Sequence, residues 1–168
     1  AASETVEAFG GAGYVEDTGL PVLLRDAQVL SIWEGTTNVL SLDALRTALK
    51  DVGALSALRA EIESCAAAAH DERLAHAART SREAAAHACA WLAAAKGEGQ
   101  TATEAGARRF SLTLGRALAL ALLTRQAQWS LAHEHHTRAA AAARRFALNG
   151  IDLINNHDPE DAAALLSE

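Results

Sequence analysis

Residues 74–95 run LAHAARTSREAAAHACAWLAAA. Leu74, Ala78, Ser81, Ala85, Ala88 and Leu92 recur in alternating steps of four and three. That spacing makes one face of a helix and cannot line one face of a strand. The stripe is narrow and small, so its partner helix should approach closely. Similar stripes lie upstream. Leu55, Leu58, Ile62, Cys65 and Ala69 form one, and Val39, Leu42, Leu45 and Leu49 another. Leu20, Leu23, Leu24, Ala27 and Leu30 form a third, with Asp17 or Thr18 as its expected cap and Pro21 in its first turn.

Downstream, Lys96-Gly97-Glu98-Gly99 is a linker. Thr101 followed by Glu104 predicts a capping box that opens one long helix to about His136. Residues 137–148 are Ala-rich, and Asn149-Gly150 ends or kinks that run. Asp158-Pro159-Glu160 predicts a short last helix. Ala accounts for 42 of 168 residues, against 2 Pro, 1 Tyr and 3 Phe. Such a composition excludes a β-sandwich, a collagen-like chain and a disordered chain. The expected fold is all-α: an antiparallel bundle of about six or seven helices.

The formal net charge is −6, which argues against a generally basic nucleic-acid binder. Cys65 and Cys89 have no metal-type spacing, and a reducing, cytoplasmic setting fits them. The start, AASETVEAF, has no secretory pattern, and no apolar run approaches the roughly 20 residues a bilayer needs. No membrane association is expected. The chain contains no Met, which fits a piece cut from something longer.

Two segments carry candidate chemistry. Gly10-Gly11-Ala12-Gly13-Tyr14 frees the backbone for a sharp turn, and such glycines also let a phosphate approach. They follow a helix, so a plain helix stop is the alternative reading. Ile32-Trp33-Glu34-Gly35-Thr36-Thr37-Asn38 sets a carboxylate beside an aromatic residue in a break between helices. An apolar wall disfavours the charged form of a carboxylate, a condition that suits a general base near neutral pH. Gly35 leaves room for a ligand, and Thr36 and Asn38 can donate hydrogen bonds to a polar cofactor. An ordinary loop acid is the alternative for Glu34.

Taken together, Val6–Tyr14, then Leu24-Arg25-Asp26-Ala27, then Ile32–Thr36 resemble the C-terminal signature of the acyl-CoA dehydrogenase flavoproteins. Trp33 and the Leu42-Asp43-Ala44-Leu45-Arg46 run resemble the AidB-like branch, which carries a helical extension. The resemblance covers residues 1 to about 50. It implies residues 1–50 as the end of the family's C-terminal helical domain and residues 51–168 as the extension. It also implies that Glu34 is the base that removes the α-proton of an acyl-CoA thioester, a step of fatty acid metabolism. Gly10, Gly11, Thr36 and Asn38 take the roles that contact FAD. Arg25-Asp26 is expected as an internal ion pair. Glu7 stands where the family has Gln, which puts one flavin contact in doubt. The family's earlier domains have no counterpart here, so the chain alone is not expected to turn over or to hold FAD. Homo-oligomers are expected.

The alternative function is a helical module for nucleic acid or subunit assembly, suggested by the +3 balance of residues 65–158. Arg109 and Arg116 share a helix face, but Arg125 lies about 180° away, so no continuous basic stripe is expected. His133 and His136 lie one turn apart without a visible third ligand, so no metal site is expected.

Overall fold

The structure is a computed structural model that describes residues 2–155 and residue 164. It is all-α, with no strand among the described residues. The helices are α1 (Ala2–Ala8), α2 (Gly11–Tyr14), α3 (Leu20–Val29), α4 (Thr37–Lys50), α5 (Val52–Ala67), α6 (Ala75–Ala95), α7 (Gln100–Ala105), α8 (Ala107–His133) and α9 (Arg138–Ala147). Two 3-10 turns, Glu16–Thr18 and Glu72–Leu74, join them. The helix expected at Asp158-Pro159-Glu160 lies outside the described residues. Two compact units divide the chain, Ala1–Asp43 and Ala44–Glu168, and α4 runs through the division.

In the second unit α5, α6 and α9 all pack against α8. Every member of the small stripe on residues 74–92 is buried: Leu74, Ala78, Ser81, Ala85, Ala88 and Leu92. Alanine on this face lets α6 and α8 approach closely. Ile62, Cys65, Ala77, Ala84, Ala117, Leu120, Ala121 and Ile151 share one core cluster. Burial pushes the Cys65 thiol up from its ordinary value. Phe110 is fully buried, with its ring 5.6 Å from that of Trp91. Buried hydroxyls fold back onto the main chain: Ser81 donates to the Ala78 carbonyl at 2.9 Å and Thr124 to Leu120 at 2.7 Å.

The connections are tied by side chains. Asp51 caps α5 by accepting from the Gly53 amide at 2.8 Å. The Gln128 amide oxygen of α8 accepts from the amides of His70 and Asp71, both at 2.9 Å. After α9 the chain turns at Gly150, φ 60°, and lies back over the bundle. There Arg116 donates to the carbonyls of Asn149 and Gly150 at 3.0 and 2.7 Å. The Thr113 hydroxyl accepts from the Leu153 amide at 3.0 Å, and His87 meets Asp152 at 2.5 Å.

Two local expectations are corrected. The capping box at Thr101 and Glu104 does not form. Gly99, at φ 96°, precedes α7, and no side chain caps that helix. Glu104 instead accepts from the Gln100 side-chain Nε2 at 2.9 Å, and Thr103 is the buried hydroxyl, 2.8 Å from the Ala95 and Gly99 carbonyls. The single long helix is also interrupted, at Gly106. The indole of Trp91 lies where a Cβ at Gly106 would have to be, so the ring packs directly on the backbone there.

The first unit is built from α1, α2, α3 and the start of α4. Both α1 and α2 pack against α3. Gly19, at φ 73°, sits at the head of α3, with Pro21 in the first turn. Neither Asp17 nor Thr18 caps α3 in the usual way. Thr18 accepts from the Leu20 amide at 3.3 Å and donates to the Ala12 carbonyl at 2.7 Å, tying the turn to α2.

Candidate functional site

The glycine segment follows α1. The Gly10 amide donates to the Glu7 carbonyl at 2.9 Å, and Gly10 takes φ 56°, a conformation that favours glycine. The Gly13 amide returns to the Gly10 carbonyl at 2.9 Å. The three glycines are not equivalent. Gly13 is buried, and a Cβ there would collide with the Val6 carbonyl. Gly10 and Gly11 are exposed, and a Cβ at either meets nothing within 4 Å. Gly13 therefore lets α2 fold against α1, whereas Gly10 and Gly11 leave bare backbone facing open space. Nothing in the residue order separates Gly13 from Gly10 and Gly11; only the approach of α2 to α1 does.

The carboxylate segment lies at the other end of α3. Ten residues of helix span about 15 Å. The Ile32 and Trp33 amides both donate to the Val29 carbonyl, at 2.9 and 3.0 Å, closing a tight turn. Gly35 donates to the Ile32 carbonyl at 3.2 Å and has φ 122°, which strains any other residue. The Thr36 carbonyl accepts from the Leu40 amide at 3.0 Å, so Thr36 opens α4. Glu34, Thr36 and Asn38 are all exposed. A carboxylate thus stands out from a turn whose following residue has to be glycine, next to a helix N-terminus. That end of α4 offers a hydroxyl, an amide side chain and the first main-chain N–H groups of a helix, a donor set suited to a polar or anionic ligand.

Exposed apolar surface surrounds this turn. Ile32 and Trp33 are 60% and 65% exposed. Trp33 precedes Glu34 in this turn with most of its ring exposed. Two open depressions, of about 580 and 430 Å³, lie on α8 and between α5 and α6, and neither borders Glu34.

The expected Arg25–Asp26 pair is replaced. Arg25 clasps Glu16 through two hydrogen bonds, at 2.9 and 2.8 Å. Adjacent residues on a helix point apart, so Asp26 cannot take that place. Hydrogen bonding to Arg25 lowers the Glu16 carboxyl, and Glu16 raises the guanidinium in turn. Both groups are exposed, so the clasp orients the turn and adds little stability.

The weaker candidates are engaged locally. His133 donates through Nδ1 to the Trp129 carbonyl, 2.9 Å away, and stacks on that indole at 5.2 Å. His136 accepts from the Arg138 amide at 3.0 Å. No group of three potential metal ligands occurs among the described residues. Arg125 pairs with Glu61 at 2.7 Å.

Residues 53–164 match the family described as acyl-CoA dehydrogenase 11 C-terminal domain-like. The chain belongs to that family. Residues 1–49 match the acyl-CoA dehydrogenase C-terminal domain. Among curated relatives, acyl-CoA dehydrogenase family member 11 of Caenorhabditis elegans is 80% identical over 44 residues, 26% of this chain and 7% of that protein. Putative acyl-CoA dehydrogenase AidB of Escherichia coli is 47% identical over 51 residues, 30% of this chain and 9% of that protein. The crystal structure of Caenorhabditis elegans ACDH-11 in complex with C11-CoA superposes with a TM-score of 0.82 at 35% identity. That match covers 97% of this chain and 28% of the other. Two acyl-CoA dehydrogenase family descriptions thus match successive parts of the chain, and the chain spans 28% of its structural relative.

Proposed function

We propose that this chain supplies the C-terminal part of an FAD-dependent acyl-CoA dehydrogenase of the AidB-like branch, with Glu34 as the base. The observation that carries this reading is the turn at Glu34: an exposed carboxylate, fixed by a positive-φ glycine, at the head of α4. In the reaction proposed, Glu34 takes the α-proton of an acyl-CoA thioester. The hydride leaving the β-carbon needs an acceptor, which bound FAD supplies. Gly10 and Gly11 present open backbone, and Thr36 and Asn38 present polar side chains; these four suit part of a cradle for FAD. None encloses a ligand by itself, so the cradle would be completed by surface outside this chain. Trp33 and Ile32, open here, would then be covered and would exclude water from the carboxylate.

The nucleic-acid alternative gains less support. Arg116 and Arg125 are held by carbonyls and by Glu61. No helix among the described residues is long and apolar enough to cross a membrane.

The test is Glu34→Gln in the flavoenzyme that carries this chain. Acyl-CoA oxidation, followed by dye reduction, should fall by about 10²-fold or more while the flavin absorbance is retained. Undiminished turnover with flavin bound overturns the assignment.

A further inference from the structure

The outward side of α3 is apolar with one acid in its middle. Val22, Leu23, Val29 and Leu30 are 42%, 61%, 48% and 71% exposed. At 3.6 residues per turn all four lie within about 60° of Asp26, two on each side of it. Asp26 is exposed as well, and no hydrogen bond or ion pair engages its carboxylate among the described residues. Arg25 beside it is held by both oxygens of Glu16, so Asp26 acts on that guanidinium only as a nearby charge.

Such a stripe makes two demands on whatever covers it. Four large apolar side chains favour an apolar occupant. The same contact takes Asp26 out of water, which is unfavourable unless a cation comes with the occupant. Residues 1–43 have none to spare. They hold seven carboxylates and one base, Arg25, and so carry the whole formal net charge of −6; the remaining residues balance at fourteen of each sign. A second copy is a poor occupant, because two such stripes in register about a two-fold axis would set Asp26 against Asp26. Nucleic acid and anionic membranes are repelled by the same surplus.

We propose that the outward face of α3 docks a basic amphipathic helix whose apolar side carries one arginine or lysine opposite Asp26. Its apolar residues rest on Val22 and Val29 at one flank and on Leu23 and Leu30 at the other. This contact shares with the proposed function only that the first unit is covered from outside the chain, and it does not depend on Glu34 being the base.

The probe is a labelled leucine–lysine peptide helix with a single arginine in the middle of its leucine face, titrated with this chain and followed by fluorescence anisotropy. Saturable binding is expected. Replacing the peptide's arginine by glutamate should weaken it by about tenfold or more. Asp26→Lys should reverse that preference, so that the glutamate peptide becomes the tighter ligand. Leu30→Gln should weaken both peptides while helicity by circular dichroism stays unchanged, because Leu30 is 71% exposed. Failure of the arginine peptide to bind overturns the proposal. So does a preference for it that survives Asp26→Lys, which would mark attraction by the acidic surplus at large. Neither readout involves turnover, so this contact and the role of Glu34 fail separately.

Discussion

The two units use apolar side chains in opposite ways. In Ala1–Asp43, Phe9, Tyr14, Leu23, Leu30, Ile32 and Trp33 are each more than half exposed. In the described part of Ala44–Glu168, Leu148 alone is exposed to that degree among the large apolar side chains. Both units show helical stripes in sequence. On α6 the stripe is buried throughout. On α3, Leu20, Leu24 and Ala27 are half-buried while Leu23 and Leu30 face outward. Periodicity therefore identifies a helix and its apolar side, and says nothing of what covers that side. Large apolar side chains exposed in this number mark a place for interaction, as the proposed site, completed from outside the chain, requires.

The contrast can be broken most directly in the cores. Phe110→Ala should cost about 3–5 kcal/mol in chemical denaturation, because a fully buried ring leaves a cavity beside Trp91. Leu23→Ala should cost less than about 0.5 kcal/mol, because Leu23 is 61% exposed. Equal losses would show that the first unit has a core of its own around Leu23.

Within the first unit, the glycines sharpen the distinction between structure and site. Gly13→Ala should destabilise by about 1–3 kcal/mol through its clash with the Val6 carbonyl. Amide exchange across residues 2–20 should accelerate accordingly. Gly11→Ala, which meets nothing within 4 Å, should leave exchange unchanged and act only on ligand binding. The reverse order would exchange the two roles.

In the second unit the returning segment after α9 gives a smaller effect. Thr113→Val removes the acceptor of the Leu153 amide and should cost about 1 kcal/mol. Faster exchange at Leu153, with α5 and α6 unaffected, is the expected signature; global loosening would contradict it.

The smallest effect is a pH dependence. Asp71 is lowered from 3.8 to about 2, first by the hydrogen bond from the Arg73 side chain and then by the Arg73 amide. A depressed carboxyl contributes stability above its ordinary value and loses it as pH falls through the folded one. Asp71→Asn should therefore lower the melting temperature slightly at pH 6, with the difference shrinking below pH 4 and vanishing only as pH falls past about 2. A gap that persists at the acid end would show that Asp71 acts through shape rather than charge.

The turns that carry the candidate site were legible because they depend on local chemistry. Glu34 between Trp33 and Gly35, and a turn at Gly10, follow from residue order, and the structure has a turn at each, with positive φ at Gly10 and Gly35. The Arg25 partner was not legible, because Glu16 reaches it only after the 3-10 turn reverses the chain. The break at Gly106 was hidden for a similar reason. It depends on Trp91, fifteen positions away, whose ring occupies the space a side chain would need.

The sequence by itself determined that the protein is helical, where most of its helices turn, and which faces are apolar. These depend on backbone propensity and on a 3.6-residue period, which act over a few residues. Only the tertiary structure decided which apolar faces become core and which stay open. It alone showed that Gly13 is a packing residue while Gly10 and Gly11 are bare backbone. Burial and close approach depend on elements distant in the chain, and no local pattern encodes where those elements come to lie.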